Sequence, residues 1–222
     1  ETISHRINDL LYYQNSISRS LSRFLKDEEV ETGIYEILKD ILAFYRAGRA
    51  YIFETDEENH FYNCTYEVVA EGVKAEINKL QEIPVDFMPW WTSQILGKKP
   101  ILFETLKPMP GMGQGEYEVL SRQGIKALMA TPLVVNDHVY GFMGVDLVDG
   151  SASWSDEDYR WLSSLANVIS ICLELRRAKE KVIFEQAALA RSERLFKNIF
   201  ANIPAGVEIY DKEGNLVDLN ER

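Results

Sequence analysis

With 222 residues, 46% of them hydrophobic, the chain is long enough to close one core of about 150 residues and to carry extensions. Its 35 acidic residues outnumber 24 basic ones, and the net charge of −11 argues against nucleic acid and anionic bilayers as partners. No run of about 20 apolar residues occurs and no signal peptide opens the chain, so the segment is expected to make no membrane contact.

The chain starts with an amphipathic pattern. Ile3, Ile7, Leu10, Gln14, Ile17, Leu21 and Phe24 recur in alternating steps of four and three, which fits both a dimer seam and a helix packed on its own domain. A second helix is predicted over residues 28–45, with Ile34, Ile37, Leu38, Ile41 and Leu42 on one face. Residues 49–54 and 61–70 read as antiparallel strands across an acidic turn. Pro84 and Pro89 bracket a turn before a short helix that carries Trp90, Trp91, Ile95 and Leu96 and stops at Gly97. A third strand at 101–104, a loop KPMPGMGQG and a helix at 116–122 follow.

Ala127–Val135 and His138–Leu147 are apolar on both faces, so their sheet is expected to be covered on both sides. Asn136 and Asp137 make the turn, because both tolerate left-handed backbone. Ser155 caps a new helix, with Asp156, Glu157 and Asp158 where the macrodipole favours negative charge. From Trp161 a heptad stripe runs on through Leu165, Val168, Cys172, Leu175, Lys179, Val182, Gln186, Leu189, Glu193, Phe196 and Phe200. A helix reaching about residue 202 is roughly 70 Å long, and beyond Arg176 little chain remains to cover it. A parallel homodimer is expected, seamed by Ile7, Leu10, Ile17, Leu21, Leu165, Val168, Cys172, Leu175, Val182, Leu189 and Phe196, with polar Lys179, Gln186 and Glu193 fixing register at a cost in stability.

Reactive groups are sparse. His5, His60 and His138 read as surface residues, and the Gly111, Gly113 and Gly115 loop lacks the Lys and Ser or Thr of a phosphate loop. No metal-ligand spacing and no catalytic set is found, so the segment is read as non-enzymatic. Cys64 and Cys172 have no CxxC spacing and read as small buried hydrophobes in a reducing, cytoplasmic compartment. Opening on Glu1 and closing inside a strand pattern, the chain reads as a segment of a longer protein.

The mixed element order predicts an α+β domain with a central antiparallel sheet and helices packed on it, flanked by long N- and C-terminal helices forming a dimeric coiled coil or bundle. The runs YEVVAEGVKAEINKLQEIPVDFMPWWTSQILGKKPI, SRQGIKALMATPLVVNDHVYGFMGVDL and WSDEDYRWLSSLANVISICLE closely resemble the GAF domains of bacterial sensor proteins. The tail RSERLFKNIFANIPAGVEIYDKEGNLVDLNER resembles the opening of a PAS domain. With the heptad spacing of the first 27 residues, these resemblances divide the chain into a heptad helix over 1–27, a GAF domain over 28–175, a signalling helix over 176–203 and the start of a PAS domain over 204–222. That last piece is too short for a core and is expected to be poorly ordered or to borrow contacts.

The GAF resemblance implies an unidentified small molecule held between the sheet and its covering helices, with Tyr51, Phe53, Trp90, Trp91, Phe103, Met109, Met112, Met129, Tyr140 and Phe142 as candidate lining. Adjacent indoles cannot both enter one core, so Trp90 or Trp91 is expected to close over the ligand. Departures from the family's patterns disfavour three ligands. Val148 and Asp149 stand where cyclic-nucleotide binders carry Asn-Lys, Cys64 and Cys172 lack the His that commonly follows a bilin-attaching Cys, and no histidine is placed to ligate haem. The resulting expectation is the sensory and signal-transmitting segment of a two-component sensor histidine kinase, its catalytic part lying elsewhere. A ligand-free dimerisation spacer remains open, as does the sensor segment of a cyclic dinucleotide synthase or phosphodiesterase or of a transcription regulator.

Overall fold

The computed structural model describes residues 30–56 and 60–220. The N-terminal seam with Ile7, Leu10, Ile17 and Leu21 lies outside the described residues, as does His5. In chain order the elements are α1 (Val30–Tyr45), β1 (Arg49–Thr55), β2 (Phe61–Val69), β3 (Ile83–Pro84), α2 (Pro89–Leu96), β4 (Ile101–Phe103), α3 (Gln114–Arg122), β5 (Ala127–Val135), β6 (His138–Leu147), α4 (Asp156–Asn202), β7 (Glu208–Tyr210) and β8 (Leu216–Leu219). Contacts divide the chain into one unit ending at Glu174 and a second from Leu175.

The first unit is an α+β fold around a six-stranded sheet of order β3-β2-β1-β6-β5-β4, every pairing antiparallel. As the doubly apolar hairpin requires, both faces are covered. On one face Ala50, Ile52, Met143 and Val145 pack with Ile34, Ile37, Leu38 and Ile41 of α1 and with Trp161, Leu162, Leu165 and Ile169 of α4. Each of those four α1 side chains is fully buried, worth about 2 kcal/mol apiece, which is what docks a helix too short to persist alone. On the other face Tyr51, Phe53, Tyr62 and Phe142 meet Trp91 and Ile95 of α2 and Leu120 of α3.

Two bulges decide which side chain goes to which face. In β2 the register shifts so that Tyr66 pairs with Ile52 and Cys64 with Phe53, leaving Thr65 as the extra residue. In β6 Leu133 pairs with Gly141 and Val134 with Val139, leaving Tyr140 extra. Cys64 and Tyr66 therefore join opposite clusters although they are two apart, and so do Tyr140 and Phe142. Gly141 makes the second bulge passable: its φ is 142°, and a Cβ there would lie 1.9 Å from the Phe53 carbonyl oxygen.

The hairpin turns on Asn136 and Asp137, both left-handed at φ 47° and 70°. Helix α4 opens on a reciprocal cap: the Ser155 hydroxyl accepts from the Asp158 amide at 3.1 Å, and the Asp158 carboxylate accepts from the Ser155 amide at 2.9 Å. Leu165, Val168 and Cys172, placed on the seam by their spacing, are buried within their own chain, because one apolar stripe also serves the domain's packing. From Leu175 to Phe196 the same stripe is open: Leu175, Val182, Leu189 and Phe196 are each more than half exposed, as are Ile183 and Phe184 off the seam, whereas Phe200 at its end is buried.

In the second unit, residues expected to be poorly ordered or to borrow contacts form the hairpin of β7 and β8. It is tied to the end of α4 by Asn220, whose amide donates to the Phe200 and Ala205 carbonyls at 3.1 and 2.8 Å and whose oxygen accepts from the Val207 amide at 2.7 Å. Among the described residues no helix is long and apolar enough to cross a membrane. The bulge at Gly141 yields a direct test. Gly141→Ala should destabilise the first unit by about 3 kcal/mol or more in urea denaturation, since the added methyl meets backbone rather than a movable side chain.

Candidate functional site

A cavity of about 190 Å³ lies between the sheet and the cover formed by α2, α3 and the segment leading to Met88. Four residues of the sequence-predicted set line it: Tyr51, Phe53, Trp91 and Phe142. Trp90, half-buried on the outer side of α2, packs towards Phe103 at 6.1 Å and against the Gly111 turn. Trp90, Phe103, Met109 and Met112 belong to the same apolar cluster without lining the cavity. Met129 and Tyr140 face the opposite cluster with α1 and α4, Met129 through strand alternation and Tyr140 through the bulge. His60 and His138 lie exposed, away from the cavity, at the starts of β2 and β6.

Sequence reasoning missed a buried polar cluster at one end of the cavity. Arg49 opens β1 and pairs in register with Asp146 on β6, and both are 2% exposed. Arg49 Nε lies 3.4 Å from Asp146 Oδ2, close enough for an ion pair but outside hydrogen-bond geometry. The guanidinium otherwise donates to the carbonyls of Gln123 at 2.6 Å and Lys74 at 3.4 Å, which straps the cover to the sheet. The Tyr51 hydroxyl donates to Asp146 Oδ1 at 2.9 Å. It reaches the carboxylate across Gly144, where a Cβ would lie 2.8 Å from the hydroxyl oxygen. A charged residue inside an otherwise apolar strand was the available signal at Asp146, but its partner is visible only through register.

Burial pushes the Asp146 carboxyl up to about 6, against the pull of Arg49 and the Tyr51 hydrogen bond. Burial, then the neighbouring Asp146, holds Tyr51 well above its ordinary value. The Cys64 thiol, at the cavity wall, is pushed up to about 12 by burial and by the Glu67 and Asp146 charges, so it stays protonated and a poor nucleophile.

Carboxylates also brace the cover. Glu67 accepts from the amides of Glu76 and Ile77, each at 2.9 Å, and fixes the segment carrying Lys79 and Leu80. Buried Glu116 accepts from the Trp91 amide at 3.0 Å and the Gly113 amide at 2.8 Å, joining the first turn of α2 to the start of α3. Of the buried donors on lining residues, Arg49 Nε faces the Asp146 carboxylate, whereas Trp91 Nε1 has no hydrogen-bond partner among the described residues. The Tyr62 hydroxyl neighbours Thr92, whose own proton goes to the Val85 carbonyl at 2.8 Å.

A profile of the GAF domain family matches residues 29–173. The methanogenesis regulatory histidine kinase FilI of Methanothrix harundinacea is 26% identical over 149 residues, covering 65% of this chain; the chain spans 16% of that kinase. Solved structures of the same fold include the phycocyanobilin-bound GAF domain of a cyanobacterial phytochrome, at TM-score 0.63 and 13% identity over 75% of this chain and 96% of that one. A far-red absorbing protein with bound biliverdin aligns at TM-score 0.62 and 12% identity, over 72% and 98%. The chromophore-binding domain of the bacteriophytochrome RpBphP3 from R. palustris aligns at 0.63 and 11%, over 78% and 63%.

These structures overturn the expectation that disfavoured a bilin, because domains of this fold hold biliverdin, phycoerythrobilin and phycocyanobilin. That expectation rested on the residues following Cys64 and Cys172. Ligand class follows from the walls of a cavity instead, and Cys64, read as a core hydrophobe, stands at that wall.

The titration of Asp146 has a defined sign. Its folded-state value is raised, so the stability it contributes is full below the unfolded value near 4 and is lost as pH rises through about 6. The stability of the native protein relative to Asp146→Asn should therefore fall by about 2–3 kcal/mol between roughly pH 4 and pH 6.5, read by urea denaturation at each pH. A difference that stays flat across that window would contradict the burial of the carboxyl.

Proposed function

The chain belongs to the GAF domain family, and from that premise we propose that it is the ligand-sensing and signal-transmitting segment of a multidomain sensor histidine kinase. The observation that carries this reading is the double role of β6. Phe142 and Asp146 line the cavity, while Met143 and Val145 on the other side pack with α4. A ligand that favours one position of β6 changes the packing of α4 on the far side of the sheet, and so biases the helix between two arrangements.

Helix α4 then carries that bias onward in a parallel homodimer. Leu175, Val182, Leu189 and Phe196 offer an exposed seam in heptad spacing, and the same repeat in a second copy would cover it. The polar seam residues Lys179, Gln186 and Glu193 keep the equilibrium between arrangements shallow. The hairpin of β7 and β8 begins a PAS domain, the next receiver of the signal, and phosphotransfer belongs to parts of the parent protein beyond this chain. The kinase relative supports that parent.

Native mass spectrometry of the protein purified from its own host tests the reading directly. A dimer with excess mass released on unfolding is expected, and visible absorption of the released compound would identify a bilin. A dimer with no added mass would favour a dimerisation spacer over a sensor. In sedimentation equilibrium the native protein should be dimeric at about 10 μM, whereas Val182→Asp combined with Leu189→Asp should be monomeric with an unchanged melting transition of the first unit.

A further inference from the structure

The glycine- and proline-rich loop between β4 and α3 serves neither the cavity wall nor the seam of α4, yet it carries two of the five methionines. Lys107, Pro108 and Pro110 are exposed, so this stretch is held down by the partly exposed Met109 and Met112, which pack on the cavity-side cluster as Trp90 does. The Met112 amide donates to the Met109 carbonyl at 3.0 Å and closes the pair into one turn. At its tip Gly111, left-handed at φ 85°, lies against the Trp90 indole, where a Cβ would come within 3.3 Å of Cδ1. Directly after the turn the Gly113 amide shares the Glu116 carboxylate with the Trp91 amide. The loop, the first turn of α2 and the start of α3 therefore form one braced piece of the cavity cover.

The thioethers are the reactive groups of this piece. Met129 and Met143 are fully buried, out of reach of a dissolved oxidant, whereas Met109 and Met112 are in contact with water. With hydrogen peroxide the sulfur lone pair takes one oxygen, the O–O bond breaks and water leaves, so each side chain becomes a sulfoxide. A sulfoxide is polar, and burying it among Trp90, Phe103 and Leu106 leaves its oxygen unpaired, so the oxidised side chains turn out to solvent. No other side chain between Lys107 and Gly113 then holds the turn on the indole. We propose that Met109 and Met112 form a reversible oxidation site through which a peroxide loosens the α2 cover of the cavity. Reduction by a dithiol through a sulfoxide reductase removes the oxygen as water, leaves a disulfide on the reductant and restores the packing. This input requires no molecule in the cavity and stands apart from the ligand-sensing reading.

The test treats the full chain with hydrogen peroxide, locates added oxygen by peptide mass spectrometry and follows amide hydrogen exchange along α2. Met109 and Met112 should each gain one oxygen at least about tenfold faster than Met129 and Met143. As they do, the amides of α2, that of Trp91 included, should exchange at least about fivefold faster, and methionine sulfoxide reductase with dithiothreitol should reverse both changes. Met109→Leu combined with Met112→Leu keeps the apolar volume, and its α2 exchange should stay at the untreated rate after peroxide. The single variants keep the test open should the double variant fold poorly, each with a smaller rise than the native chain. Oxidation of both sulfurs with unchanged exchange in α2 would overturn the proposal. So would a rise that persists in the Leu variants, which would trace it to Met88 at the cavity wall, or oxidation of the pair no faster than that of the buried methionines.

Discussion

An arginine and an aspartate buried opposite one another on the two central strands hold the cavity side of this fold in place. Arg49 and Asp146 share a register position, and the arginine also reaches the carbonyls of Lys74 and Gln123 in the cover. Removing one member of such a pair costs about 3–5 kcal/mol, because the other charge is left buried alone. Tyr51 completes the set from the same strand as Arg49, and its path to Asp146 exists only because Gly144 presents no side chain. The cavity therefore ends at a fixed polar wall, while its remaining walls are side chains that can repack.

The sheet does two jobs with one layer of backbone. Strand alternation sends neighbouring residues of β6 to different cores, and the bulges at Thr65 and Tyr140 reset that alternation where it would otherwise aim side chains the wrong way. Without the shift in β6, Val139 and Phe142 could not both face the cavity-side cluster. A strand shared in this way cannot move on one side without consequence on the other, since Met143 and Val145 are fully buried against the helices while Phe142 and Asp146 line the cavity.

Much of this architecture could be read along the chain. The hairpin of β5 and β6 was predicted to the residue, because two long apolar runs meet at a pair of residues suited to left-handed backbone. The start of α4 followed from a hydroxyl and a run of acids, and its length from the persistence of the heptad. The element order gave an α+β domain with an antiparallel sheet, and the GAF fold came from the resemblance of three sequence runs to that family. The cavity was only partly legible: of the aromatic and Met residues that the GAF resemblance suggested, Tyr51, Phe53, Trp91 and Phe142 line it, whereas Met129 and Tyr140 face the other cluster, because a strand apolar on both faces and a bulge leave no periodic trace. Arg49 and Asp146 escaped notice because each looks like an isolated charge until the strands are laid side by side. Two-residue β3 is below the length at which any pattern forms.

The tryptophans carry a consequence for how this protein can be watched. Trp91 stands at the cavity wall, whereas Trp161 lies on the other side of the sheet, 4.4 Å from the Phe44 ring and 5.2 Å from the Tyr45 ring of α1. Two of the four native indoles thus lie on each side of the sheet, Trp90 with Trp91 and Trp154 with Trp161. Single-tryptophan versions would time the arrival of a molecule on one side and the response of the helices on the other, without any foreign label. The interval between them measures how fast a packed sheet transmits a push.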